Sequence, residues 1–179
     1  MSENQTIKEL LEKAKQRDIE AAKEILRHIS DKMYFITRLF VADHEQARKV
    51  EQAGLKKVFS SLKEVTNPEW FECWAAEKVR KEAIAHVLPL EESKTNSNMY
   101  TEADEIPNYM AVLPETAEGK KYQVLEMMDK LSTGARAALA LHLYDGLSVE
   151  ESAKLLMSTP QSGMCWLTEA KDTLMSNGF

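Results

Sequence analysis

Apolar residues recur at helical spacing along almost the whole chain. Ile7, Leu10, Leu11 and Ala14 follow the i, i+3, i+4, i+7 pattern, which places one apolar stripe along the side of a helix. Similar stripes continue through both halves of the chain, and no segment alternates apolar and polar residues for long enough to predict a strand. The pattern therefore predicts an all-α fold with two helical bundles.

Residues that commonly precede a helix divide the N-terminal half into five predicted helices. After the first helix, the others begin at Asp18, after a cap at Ser30-Asp31, after a cap at Asp43, and at Asn67-Pro68. Proline is tolerated in a first helical turn because its missing N–H would have no partner there. We expect the fifth helix to end before Pro89.

The stretch from Leu131 to Leu174 has the outline of a helix-turn-helix, which places one helix in the DNA major groove. A turn at Asp145-Gly146 ends one helix, and Ser148 with Glu151 three residues later is a capping box that opens the next. Thr159-Pro160 opens the last helix, with threonine as the cap and proline at the first position. The C-terminal half is thus predicted to be a small DNA-binding unit.

The net charge of −6 is concentrated in the middle of the chain. Residues 91–118 hold one basic and seven acidic side chains, include Pro107 and Pro114, and lack a helical apolar period. We expect an acidic flexible linker here, between a helical domain over residues 1–90 and a helix-turn-helix domain over residues 119–179. The linker is either a solvated tether or a cover for a basic face before a partner arrives.

Catalytic chemistry finds little support in the sequence. Cys73 and Cys165 are too few for a disulfide framework or a zinc cluster and fit a reduced cytoplasm, and Cys73 is expected to be buried and inert beside Trp74. The histidines lack metal-ligand spacing, and His142 is interpreted as a hydrogen-bonded core residue. No apolar run reaches the ~18 residues of a membrane span. We therefore expect no enzymatic activity, no metal, no other cofactor and no membrane segment.

Motifs in both halves resemble the sigma-70 superfamily, in particular the extracytoplasmic-function (ECF) sigma factors of bacterial RNA polymerase. The strongest agreement is with the family's region 4 motif, at Leu131, Ser132, Arg136, Leu139, Leu141, Leu143, Tyr144, Gly146, Leu147, Ser148, Glu150, Glu151, Ala153 and Leu156. A weaker agreement with the family's polymerase-binding helix lies at Asp43, Glu45, Ala47 and Gln52, and one with its promoter-melting helix at Phe71, Trp74 and Arg80.

The resemblance implies a transcription initiation factor that is not an enzyme, with core RNA polymerase, promoter DNA and an anti-sigma factor as partners. The residues it implies for polymerase binding are Arg48, Lys49, Gln52 and Lys56. The residues expected to bind DNA are Lys78, Arg80, Lys81, Thr159, Gln161, Ser162, Trp166 and Lys171. An aromatic side chain, Trp70 or Phe71, is available to stack on a base of a melted strand.

Two departures from the family's pattern keep an alternative open. The polymerase-binding helix has Arg48 and Lys49 where the family has acids, and Lys171 is the one cation between positions 159 and 174. The places where the family usually has basic residues in the last helix are Met164, Trp166 and Glu169. Little electrostatic attraction would then draw this helix to phosphates. The alternative is a sigma-like interaction protein without promoter recognition, which binds a protein through Met164 and Trp166.

Overall fold

The computed structural model describes residues 3–90 and 117–177. Within these ranges the chain is all-α, as predicted, with no strand. Eight α-helices are described: α1 Glu3–Lys15, α2 Ile19–Phe40, α3 His44–Ser60, α4 Phe71–Val87, α5 Ala117–Met128, α6 Thr133–Asp145, α7 Val149–Leu155 and α8 Pro160–Ser176. Two single 3₁₀ turns lie at Leu62–Glu64 and Pro68–Trp70.

The described residues group into two compact units. The first unit holds residues 3–38 and 43–86, and the second holds residues 39–42, 87–90 and 117–177. Almost all of the predicted acidic linker lies outside the described residues, although its last two positions, 117 and 118, open α5. The proposed domain limits at 90 and 119 therefore stay a prediction.

Helix α2 runs unbroken from Ile19 to Phe40, so the predicted helix boundary at Ser30-Asp31 is wrong. Ile29 and Met33 lie four residues apart on either side of that point, and both are buried in the same core. A continuous buried stripe outweighs a capping preference that is worth only about 1 kcal/mol. The Ser30 hydroxyl donates instead to the Glu51 carboxylate of α3, at 3.2 Å.

The core of the first unit is built from one face of each of its helices. Its largest fully buried apolar members are Leu11, Ile25, Ile29, Met33 and Phe71. Helices α3 and α4 approach closely at Gly54, where a Cβ would lie 2.9 Å from the Cα of Val79. The predicted cap at Asp43 is present, since its carboxylate accepts from the Gln46 N–H at 2.8 Å and so fixes where α3 begins.

Candidate nucleic-acid and polymerase interfaces

The predicted caps that frame the C-terminal helices are all present. Gly146 ends α6 in the left-handed conformation, with φ at 64°. Ser148 and Glu151 form the capping box: the Ser148 hydroxyl accepts from the Glu151 N–H, and the Glu151 carboxylate accepts from the Ser148 N–H at 2.9 Å. This backbone bond lowers the pKa of Glu151. Thr159 caps α8 by accepting from the Ser162 N–H at 3.2 Å.

Arg136 ties the start of α6 to Asp129, the first residue after α5. Its side chain is 1% exposed, and one guanidinium nitrogen donates to the partly exposed Asp129 carboxylate at 2.6 Å. Removing this carboxylate would be costly because the buried arginine charge would lose a partner. Arg136, which agrees with the family motif, therefore supports the scaffold and does not face a ligand.

Gly163 lets α8 pack closely on α7. A Cβ at this position would lie 3.2 Å from the Ala153 Cβ and 3.3 Å from the Val149 carbonyl oxygen. In isolation a glycine costs a helix about 1 kcal/mol relative to alanine. Here the close approach of two helices offsets that cost, so Gly163 belongs to the frame of the predicted helix-turn-helix.

Trp166 lies in the core of the second unit, and this placement corrects its prediction as a DNA-binding or partner-binding residue. Its side chain is 2% exposed and packs against α6 at Gly134, where a Cβ would lie 2.4 Å from the indole Nε1. The indole therefore has almost no surface to offer to a base or to a protein. Its neighbour Cys165 is also buried, which raises the pKa of the thiol.

The exposed face at the beginning of α8 is polar and uncharged. Gln161 is exposed, whereas the Thr159 hydroxyl is engaged as the cap and lies 3.1 Å from the half-buried Ser162 hydroxyl. Lys171 is half-buried and lies almost three helical turns beyond Gln161. Of the predicted DNA-binding residues in α8, Gln161 is therefore the one whose side chain is freely presented at the N-terminal end.

An apolar surface that the sequence analysis missed lies at the turn between α7 and α8. Met157 is 84% exposed and has a φ of +52°, and Leu155 is 46% exposed. Leu155 is the last residue of α7, and its side chain is exposed at this end of the helix. The positive φ at Met157 has no signal in the sequence, because residues other than glycine and asparagine rarely adopt it.

The four predicted polymerase-binding residues lie together on the exposed side of α3. Arg48, Lys49, Gln52 and Lys56 are all exposed. Lys49 pairs with Glu45 one turn earlier, at 2.6 Å. Arg48, Gln52 and Lys56 follow at i, i+4 and i+8 and so form a line that spans about 12 Å of the helix.

The predicted DNA-binding cations of the first unit lie on α4 and are held by acidic neighbours. Lys78 pairs with Glu64 at 2.9 Å, and its ammonium lies 4.7 Å from the centre of the Trp74 ring. Lys81 pairs with Glu77 at 2.6 Å, and this contact lowers the pKa of the Glu77 carboxyl. The third predicted cation, Arg80, is half-buried on the same helix.

The aromatic residues before and within α4 differ sharply in exposure. Trp70, in the 3₁₀ turn before the helix, is 66% exposed, whereas Phe71 is fully buried. Trp70 is therefore the residue able to stack on a base.

Cys73 is exposed, which corrects the prediction that it is buried beside Trp74. Adjacent helical residues point about 100° apart, so the burial of one does not imply burial of the next.

His142 serves the structure of the second unit. The His142 ring nitrogen Nδ1 lies 2.9 Å from the Leu147 carbonyl oxygen, a contact that ties α6 to the following turn.

Over residues 3–90 and 117–177, no group of three or more His, Cys, Asp or Glu residues is arranged to hold a metal ion. None of the helices in these ranges is both long and apolar enough to cross a membrane.

Comparisons with known proteins give little beyond this geometry. No family model matches the chain, and no curated protein matches it. The chain is similar to one in the solved structure of CnrH in complex with the cytosolic domain of CnrY, with 15% sequence identity and a TM-score of 0.42. The similarity covers 96% of each chain.

Proposed function

We propose that this chain is a transcription initiation factor of the ECF sigma type, which acts in the cytoplasm without enzymatic chemistry. The observation that carries the proposal is the stretch from Leu131 to Leu156, in which the resemblance is densest. The motif residues there include the cap, turn and ion-pair residues of the folded unit: Ser132, Arg136, Gly146, Ser148 and Glu151. Sequence resemblance and folded scaffold therefore concern the same residues.

In this proposal the first unit binds core RNA polymerase through the exposed side of α3, at Arg48, Lys49, Gln52 and Lys56. Helix α4 and the turn before it contact the opened promoter. Lys78, Arg80 and Lys81 attract the phosphate backbone, and the exposed Trp70 stacks on a base of the melted strand. An anti-sigma factor that holds the protein inactive belongs to the same proposal, through the resemblance alone.

The second unit reads an upstream DNA element in this proposal. Gln161 is the exposed side chain at the start of α8, and a glutamine there suits a bidentate contact with adenine. The N-terminal end of α8 also favours a phosphate, because its first N–H groups and the helix dipole point that way. The unit supplies few cations of its own, so the first unit and the polymerase must bring it to the DNA.

A second candidate function is a sigma-like protein that binds a protein partner and has lost promoter recognition. The observation that favours it is the exposed pair Leu155 and Met157, whereas of the two residues predicted for this role Trp166 is buried and Met164 is half-buried. Methionine and large apolar side chains are common in the centres of protein interfaces. Both functions share the docking on polymerase and differ in what the second unit contacts.

The proposal is tested by binding the purified chain to core RNA polymerase and footprinting DNA with the complex at low and moderate salt. We expect tight binding to the polymerase and a sequence-selective footprint that the polymerase alone does not give. Binding without a selective footprint would favour the interaction protein. No binding to core polymerase would refute both functions.

A further inference from the structure

The arginine at position 48 is fixed in place by residues from two helices. Its guanidinium lies 3.6 Å from the centre of the Tyr34 ring of α2, and one of its nitrogens donates to the Glu51 carboxylate at 3.0 Å. The Tyr34 hydroxyl in turn lies 2.8 Å from Nδ1 of His44. A stacked and hydrogen-bonded guanidinium loses little further conformational freedom when it binds a ligand.

At this position the positive group is exposed and the negative group is buried. The Glu51 side chain is 4% exposed, and its other carboxylate oxygen accepts from the Ser30 hydroxyl, so the negative group is buried and hydrogen-bonded. The Arg48 side chain is 53% exposed. A guanidinium has five N–H donors, so a single bond to Glu51 leaves several of them for a second carboxylate.

The neighbouring residues extend this arrangement along α3. Lys49 and Lys56 add two exposed cations, and the exposed Gln52 between them adds a neutral donor and acceptor. Glu45, paired with Lys49, is the exposed acid on this side. The surface formed by Arg48, Lys49, Gln52 and Lys56, here called the α3 cationic surface, is complementary to a segment with acidic side chains.

We infer that the α3 cationic surface binds an acidic protein segment, with Arg48 as a pre-organised carboxylate anchor. This inference deepens the proposed function, because it specifies the chemistry that the polymerase must present. A protein carboxylate fits better than DNA, since duplex recognition draws on many phosphate contacts and this surface offers three cations, one of them paired with Glu45. The planar fork of the arginine adds geometric selectivity for a carboxylate.

The test uses two fluorescent polyanionic probes of matched length, a poly-L-glutamate peptide that presents carboxylates and an oligo-dT strand that presents phosphates, each titrated with the full chain at low salt. We expect Arg48→Gln to weaken peptide binding on the order of tenfold and Arg48→Lys to weaken it less. Tyr34→Leu should also weaken peptide binding, although it leaves the charge unchanged, because it removes the stacking that fixes the guanidinium.

The matched control is Arg27→Gln, which removes an exposed arginine that pairs with Glu24 at i,i−3 on α2. Peptide affinity should be unchanged in this variant, and circular dichroism should show that every variant is folded. Unchanged peptide affinity in Arg48→Gln would overturn the inference, and so would a larger loss for oligo-dT than for the peptide.

The same variants are then measured against core RNA polymerase. If the wild-type chain fails to bind polymerase while the peptide results hold, the proposed function fails and the inferred surface stands. If the wild-type chain binds polymerase and Arg48→Gln binds equally well, the proposed function stands and the anchor role of Arg48 is refuted.

Discussion

Helices α3 and α8 present their exposed faces in opposite ways. On α3, cations are exposed, and Arg48 is fixed by an aromatic ring and a buried carboxylate. On α8, the largest side chain, Trp166, is buried, and Gln161 presents a neutral amide at the N-terminal end. Under the proposed function, electrostatic attraction therefore comes mainly from the first unit, and the second unit contributes a few hydrogen bonds.

The largest expected effect comes from Trp166→Ala, which tests whether α8 uses its tryptophan for folding. We expect the free energy of unfolding to fall by about 3–5 kcal/mol, because the substitution leaves a cavity against Gly134. Urea denaturation followed by circular dichroism measures this change.

Trp70→Ala is the matched control, since this tryptophan is mostly exposed and its loss should cost less than about 0.5 kcal/mol. If Trp166→Ala kept full stability and lost binding to DNA or to a protein, Trp166 would be a contact residue, and the contrast between α3 and α8 would disappear.

The next effect concerns the salt dependence of DNA binding. The triple variant Lys78→Gln/Arg80→Gln/Lys81→Gln removes three cations. Its DNA affinity should fall less steeply with salt, with the magnitude of the slope of log affinity against log salt reduced by about 2–3, since each phosphate contact contributes about 0.7–0.9. The double variant Gln161→Ala/Lys171→Gln in α8 should lower the slope by no more than about 1. Fluorescence anisotropy over a salt series measures both slopes.

The polymerase-bound chain is the right sample for this comparison, with circular dichroism as the check on folding. Equal changes in slope for the two variants would show that α8 contributes as much electrostatic attraction as α4 does. A larger change for the α8 variant would reverse the assignment of charge to the first unit.

The smallest effect concerns an ion pair that links α2 to α4 in the first unit. Lys32 donates to Glu72 at 2.6 Å, and this hydrogen bond, with a contribution from His28, lowers the pKa of the Glu72 carboxyl from 4.5. Because this pKa is lower in the folded state than in the unfolded state, the ionised carboxylate stabilises the fold at pH values above the unfolded-state pKa. The stabilisation is lost as the pH falls through the folded-state pKa. Because Glu72 is partly exposed, Glu72→Gln should cost less than about 1 kcal/mol near neutral pH.

Urea denaturation of the wild type and of Glu72→Gln at about pH 7 and about pH 3 measures this effect, with a smaller stability difference expected at the lower pH. The control is Glu24→Gln, which removes an exposed pair within α2 and leaves the link to α4 intact. A difference of equal size at both pH values would mean that the Glu72 side chain stabilises the fold by packing.

Local chemistry made much of the fold predictable. Asp43, Ser148 and Thr159 cap helices as predicted, because a cap depends on residues two or three positions away. The same rule failed at Ser30-Asp31, where the core on both sides of that point keeps the helix continuous. A local signal therefore predicts a helix end well only where no buried stripe continues through it.

The candidate sites were less predictable, because exposure depends on distant residues. The burial of Trp166 depends on Gly134, a small residue 32 positions earlier that leaves room for the indole. Arg48 was predicted from the resemblance, but its stacking on Tyr34 follows from the packing of α2 against α3. Neither of these contacts between helices can be inferred from composition or from residue spacing.

The most direct test of the division between the two units is hydrogen exchange of the full chain with and without core RNA polymerase. We expect polymerase to slow amide exchange in α3, over His44–Ser60, and to leave exchange in the N-terminal half of α8, over residues 160–168, unchanged until DNA is added. Slower exchange over residues 160–168 with polymerase alone, and no change in α3, would contradict this expectation.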